Sequence, residues 1–274
     1  MDDLAIRASR GMRIYWHLAV ARTRSDFQYP TSATLLTVLS VVLTGTDLAV
    51  LALILRAVPT LGGFDLRSAA FIYALSLCGF QLCNGTFGTL DYLGIRIKEG
   101  SFDQLLVRPV GTVLQVMAEQ FSLRGLGRML YGVVVLVVAA NVAPIGWTPA
   151  SIAYLVVVVA AGAITFSGVF IATAALSFWL VDAREVANSV TYGGGYVSEY
   201  PASVYEGWFK GLFFYVLPYA FVAWVPAIHL LHRPDPLGFP AWFRLLPVPV
   251  AIATFAGGAL AWRAGLRHHT STGT

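Results

Sequence analysis

Charge is what this sequence has least of. Acidic and basic side chains make up 12% of its 274 residues, against about 25% in a soluble domain. Hydrophobic residues make up 57% and the mean hydropathy is +0.71, so one aqueous core cannot hide the apolar surface. Lysine is nearly absent. Lys98 and Lys210 are the two in the chain, and neither stands in a Gly-x-x-x-x-Gly-Lys-Ser/Thr loop, the arrangement that cradles phosphates with backbone N–H groups and a lysine. That excludes ATP binding of this type within the chain. The two cysteines, Cys78 and Cys83, share one apolar run and point in different directions on a helix; they read as inert small side chains, not a disulfide. The histidines form no His-Glu-x-x-His run and no zinc-spaced cluster, and His229 and His232 read as interfacial polar residues. No serine occupies a Gly-x-Ser-x-Gly elbow. Ser167-Gly168 is a faint echo of an intramembrane protease site, with no histidine at a comparable depth. Nothing precedes a small-residue cleavage site in the manner of a signal peptide, so none is expected.

What the chain has instead is long apolar runs, which need a bilayer. Span one is expected from about 34 to 55, span two from 69 to 90 and span three from about 121 to 141. Span four is expected from 151 to 181, span five from 211 to 231 (broken by Pro218 and Pro226) and span six from 245 to 262. Residues 182–210, with Gly193-Gly-Gly195, read as a polar loop. The Pro/aromatic stretch 232–243 reads as a re-entrant outer segment. Residues 1–30 interleave Arg7, Arg10, Arg13, Arg22 and Arg24 with apolar residues, either as an interfacial amphipathic helix or as a positive flank to span one. The whole, 1–274, reads as a single all-α membrane domain with six transmembrane helices. With the N-terminus inside, fourteen Lys and Arg fall on inner segments and four, Arg56, Arg67, Arg233 and Arg244, on outer ones. This asymmetry places both termini in the cytoplasm.

Two polar stripes run through these spans. Thr37, Ser40, Thr44 and Asp47 share a helical face in span one, and Gln81, Asn84, Gly88 and Asp91 share one in span two. Polar groups facing lipid are costly, so each stripe either lines a translocation path or binds helices together. Asp47 is a carboxylate inside an apolar run, and it needs a partner, a raised pKa or water.

The most informative segment is polar and lies between spans two and three, within 91–112. Along 97–110, Ile97, Ser101, Gln104 and Arg108 lie on one face while Phe102, Leu105 and Leu106 form an apolar ridge. Pro109 ends the helix because it cannot continue the hydrogen-bond ladder. Such an element suits a cytoplasmic helix that another protein pushes on. Phe102 and Leu105 would insert into the partner's groove, with Glu99, Asp103 and Arg108 as a charged rim. The alternative is an ordinary amphipathic inner loop.

Here a family resemblance enters. Gly100-Ser-Phe-Asp-Gln-Leu-Leu-Val-Arg-Pro109 resembles the Gly-x-hydrophobic-Asp-x-Leu-Leu-x-Arg-Pro signature of ABC exporter membrane subunits, specifically the type 2 permease family in its uncharacterised six-span branch. Leu61-Gly-Gly-Phe64 with Ile72-Tyr73, Ser177-Phe-Trp179, Tyr200-Pro201, Val216-Leu-Pro218, Ala220-Phe-Val222 and Val225-Pro-Ala227 are similar to further family stretches in the same order. Close relatives often carry Trp where Phe64 stands, and an acidic residue near Ser68 and Ala69 that this chain lacks. The resemblance implies a permease subunit in the plasma membrane that forms its path with a second, identical or related, permease. It implies that a dimer of ATP-binding subunits, which hold ATP and Mg, engages the coupling element carried by Glu99, Gly100, Phe102, Asp103, Leu105 and Arg108. No cofactor is expected in this chain itself, and membrane lipid but no nucleic acid among its partners. On this reading the segment drives spans one, two and five. Two other readings stay open: an intramembrane enzyme, for which no nucleophile–base pair is found at one depth, and an ion channel, for which no repeated filter is found.

Overall fold

A computed structural model describes residues 60–107, 111–120, 123–180, 182–212, 216–234, 236–238 and 240–269, with isolated positions between 34 and 53. The basic segment 1–30, Arg108, and Thr37, Ser40, Thr44 and Asp47 lie outside the described residues.

The described residues contain helices and no strand. Helix α1 (Leu66–Phe87) continues through a 3-10 turn (Gly88–Tyr92) into α2 (Leu93–Lys98). The short α3 (Asp103–Leu106) and α4 (Thr112–Gln120) follow, then α5 (Leu123–Val142) and α6 (Pro149–Ala175). After these come α7 (Arg184–Ser198), α8 (Gly207–Gly211), α9 (Trp224–Leu230) and α10 (Pro247–His268). Three stretches, Leu66–Lys98, Gly125–Val142 and Pro149–Phe178, are long and apolar enough to cross a membrane. The described positions between 34 and 53 are helical, and Leu35, Val38 and Leu53 among them are exposed.

α1 is the buried centre. Gly79 faces Gly162 and Gly94 faces Ser177, so α1 and α6 run parallel. Gly85 abuts Met129 while Gly132 abuts Gln81, so α5 runs antiparallel to α1. α5 turns Leu130, Val133, Val134, Val137 and Val138 outward, the apolar exterior that a bilayer would cover. Helix α6 starts where Pro149 follows a capping box, in which the Thr148 hydroxyl accepts from Ser151 N at 3.1 Å; an N1 proline loses nothing there because that N–H has no intrahelical partner. α10 lies parallel to α6 with backbone against backbone, since a Cβ on Gly258 would collide with Gly168 O. Cys78 and Cys83 are free and buried.

The stretch read as a polar loop, 182–210, is mostly structured. α7 forms despite its three consecutive glycines, each of which costs about 1 kcal/mol in helix propensity relative to Ala. Packing explains two of them. The Tyr219 ring occupies the space a Gly194 side chain would need, and Phe80 lies against Gly195. α7 crosses α1 antiparallel: Tyr192 meets Asn84, Gly195 meets Phe80 and Ser198 meets Ser76.

The expected span five, 211–231, is not one straight helix. Ser203 Oγ donates to Gly62 O at 2.7 Å, at the end of the bundle marked by the Gly62-Gly63 turn. By Tyr219 the chain is back at mid-bundle, where the phenol donates to Val190 O at 2.7 Å and the ring packs on Phe166. By Arg233 it has returned to the Gly62 end, bonded to Asp65 and Gly63 O. Pro218 starts a 3-10 turn at the bottom of this excursion and Pro226 falls in the first turn of α9. The sequence reading took the broken span five together with the stretch to Phe243 as a re-entrant gate; the excursion falls in the first of these, while Arg233 lies at the Gly62 end.

Candidate functional site

The segment after α1 is built by interruption. α2 stops at Gly100, whose φ of +70° few other residues accept. Gly100 N donates to Ile97 O at 3.2 Å, and Phe102 N then donates back to Arg96 O at 3.2 Å. Where a single helix is expected from 97, the described residues up to Val107 form the end of a helix, a tight turn and the one-turn α3. The turn aims Phe102 into the protein.

Phe102 is fully buried. Its ring stands edge-on to Phe178 at 5.4 Å, Trp262 at 6.4 Å and His269 at 5.3 Å. Phe178 follows α6, while Trp262 and His269 belong to α10 and the residue after it. Gly265 makes room for the Phe178 ring. Beside this cage, Asp103 Oδ1 and His269 Nε2 are 2.9 Å apart. A carboxylate only accepts, so Nε2 carries the proton. Leu105, also buried, gives its carbonyl to Gln115 Nε2 at 2.9 Å. Trp262 Nε1 donates to Thr112 Oγ1 at 3.1 Å, and Thr89 Oγ1 donates to Val116 O at 2.8 Å. Lys98 and Asp182 pair at 2.6 Å on the surface.

These contacts correct the expected direction of two side chains. Phe102 and Leu105 do not project toward a partner; they anchor the segment to its own chain. The outward face is Lys98, Glu99, Gln104, Leu106 and Val107, with Val107 84% exposed. The segment is fixed to the ends of α6 and α10 as well as to α1, whereas the sequence reading attached it to spans one, two and five. Thr112, Gln115, Trp262 and His269 escaped that reading, and Phe178 entered it only within a family stretch. A lone Trp near the end of span six was the one available signal.

Of the span-two stripe, the structure joins Asn84 and Asp91. Asn84 Nδ2 donates to the Tyr192 hydroxyl at 3.3 Å, and that hydroxyl donates to Asp91 Oδ2 at 2.6 Å. Asn84 and Gln81 are both buried within this chain, Gln81 against Gly132 of α5. Ser167 Oγ donates to Ala163 O at 2.7 Å, a backbone tie within its own helix. No cluster of three or more His, Cys, Asp or Glu suited to a metal occurs among the described residues.

The described residues thus hold an anchored, outward-facing element at one end of a bundle of apolar helices. Residues 41–273 match the family model described as ABC-2 family transporter protein. The chain belongs to that family, a class of multi-pass membrane permeases that work with ABC ATP-binding subunits. Searches of curated proteins and of solved structures gave no match.

Proposed function

We propose that this chain is the permease subunit of an ATP-driven exporter. The span-one helix, α1 with α2, α5, α6, α7 and α10 are its six spans, both termini lie in the cytoplasm, and the excursion between Ser203 and Arg233 is a re-entrant hairpin opening to the outer side. A second permease, identical or related, completes the path, which the span-one stripe Thr37, Ser40, Thr44 and Asp47 lines. ATP and Mg reside in a dimer of partner ATPases. When these close, they press on the outward face of residues 98–107. The load passes through Phe102 into Phe178 and Trp262, and through Asp103 into His269, so that α6 and α10 tilt together.

One observation carries the reading: an exposed Leu106–Val107 tip only a few residues after the fully buried Phe102. A solvent loop needs no such anchor, and a force-bearing one does. The test is affinity purification of the chain from its native membrane in mild detergent, with mass spectrometry of the co-purifying proteins. The expected result is a P-loop ATPase, recovered in smaller amount with Val107→Asp. Recovery of the chain alone, under conditions that keep other membrane complexes intact, would overturn the proposal.

A further inference from the structure

At the Gly62 end, opposite the coupling segment, a cavity of about 500 Å³ opens between α9 and the 3-10 turn Ala241–Leu245. Among the described residues its titratable lining is basic. His229, His232, Arg233 and Arg244 face it, while Ile228 and Phe243 supply an apolar wall. Asp65 holds Arg233, taking its Nη2 at 3.0 Å and the Ser68 hydroxyl at 2.7 Å. The His229 and His232 rings lie 6.4 Å apart.

The backbone is arranged for this. His232 has φ +51°, the one non-glycine in the left-handed region among the described residues, a strained conformation concentrated at functional positions. Arg244 is positioned from behind, where its carbonyl takes the Tyr154 hydroxyl at 2.8 Å. Tyr154 in turn stands edge-on to His229 at 4.8 Å. The cavity lies level with the starts of α6 and α10, where the apolar helices begin.

We propose that this cavity binds the phosphate headgroup of an anionic amphiphile, with Arg244 and His229 as donors and the Ile228–Phe243 wall against its apolar part. Arginine and imidazole N–H donors spread around a pocket suit a group with several charged oxygens. Concentrating one sign of charge in a concave, apolar-walled site favours a net anion over a zwitterion. The proposal does not depend on the coupling mechanism.

The test is native mass spectrometry of the full chain with its co-purifying partners, titrated with dioleoylphosphatidylglycerol or dioleoylphosphatidylcholine. Selective retention of phosphatidylglycerol is expected. Arg244→Gln, at an exposed residue that leaves the fold intact, should weaken it roughly tenfold, and Arg244→Lys should restore it. Inorganic phosphate at millimolar concentration is the competing probe. Displacement by it would show that the phosphate group alone suffices and comes from water; no displacement would show that the lipid supplies it. Equal retention of the two lipids by the wild type, or unaltered retention by Arg244→Gln, would overturn the proposal.

Discussion

Phe102 and Val107 sit five residues apart and carry opposite duties. Truncating a fully buried aromatic costs about 3–5 kcal/mol, so Phe102→Ala should lower the melting temperature of the detergent-solubilised chain and, with it, coupling. Val107→Ser should leave melting unchanged and reduce ATPase recovery alone. A thermal scan beside a pull-down separates the two, and equal melting in both variants would remove the anchor role. Asp103→Asn keeps the shape next to His269 but discards the charge; transport per ATP hydrolysed should fall in proteoliposomes while assembly persists. At the other end, Asp65 is pulled two ways. Partial burial raises its pKa, but the Ser68 hydroxyl and the Arg233 charge outweigh that and set it below 3.8. A depressed carboxylate stabilises the fold above its unfolded pKa. That stability drains away as pH falls through the lower, folded value. Unfolding measured from pH 6 down to 3 should therefore show a loss that Arg233→Gln reduces.

Among elements, the contrast between α6 and α7 shows what a sequence can reveal. α6 is uniformly apolar with a capped, proline-marked start, so its existence was legible without any partner. α7 reads as a loop because its glycines are unfavourable taken alone; they are explained by Tyr219, far along the chain, and by Phe80. The same limit hid the direction of Phe102. An apolar residue in an amphipathic segment must be buried somewhere, and periodicity does not say whether in a partner or at home. The 3, 4, 3 spacing did place Asn84 and Asp91 on one face, yet not the Tyr192 hydroxyl between them. α7 is also tied to α1 by the buried Ser76–Ser198 pair, 2.6 Å apart. Interhelical hydrogen bonds of this kind average about 0.6 kcal/mol, so a double-mutant cycle with alanine at both positions should give a coupling of that order. A value near zero would assign the α1–α7 contact to shape alone.

Across the whole molecule, α6 and α10 act as one body. Gly168 and Gly258 bring the two backbones together, and a side chain at the crossing must pry them apart. Gly258→Val should lower thermal stability and break the link between the coupling segment and the Gly62 end, seen as ATPase activity no longer altered by transport conditions. Unchanged melting of Gly258→Val would show that the seam is slack. The overall plan of apolar helices and the polar interruption near residue 100 were readable from hydropathy and glycine and proline placement. The excursion to Tyr219 was not, because its depth is set by contacts with Val190 and Phe166 and by no local pattern.

The cage around Phe102 also orders events in time. Asp103 and His269 are 166 residues apart. At roughly 5–20 residues per second of synthesis, Phe102 leaves the ribosome on the order of ten seconds or more before Trp262 and His269 can close over it. During that interval the coupling segment has no seat. An ATPase that recognises only the seated form would pass over every chain in which α10 has yet to arrive, so α10 would certify the permease before any ATP is spent on it.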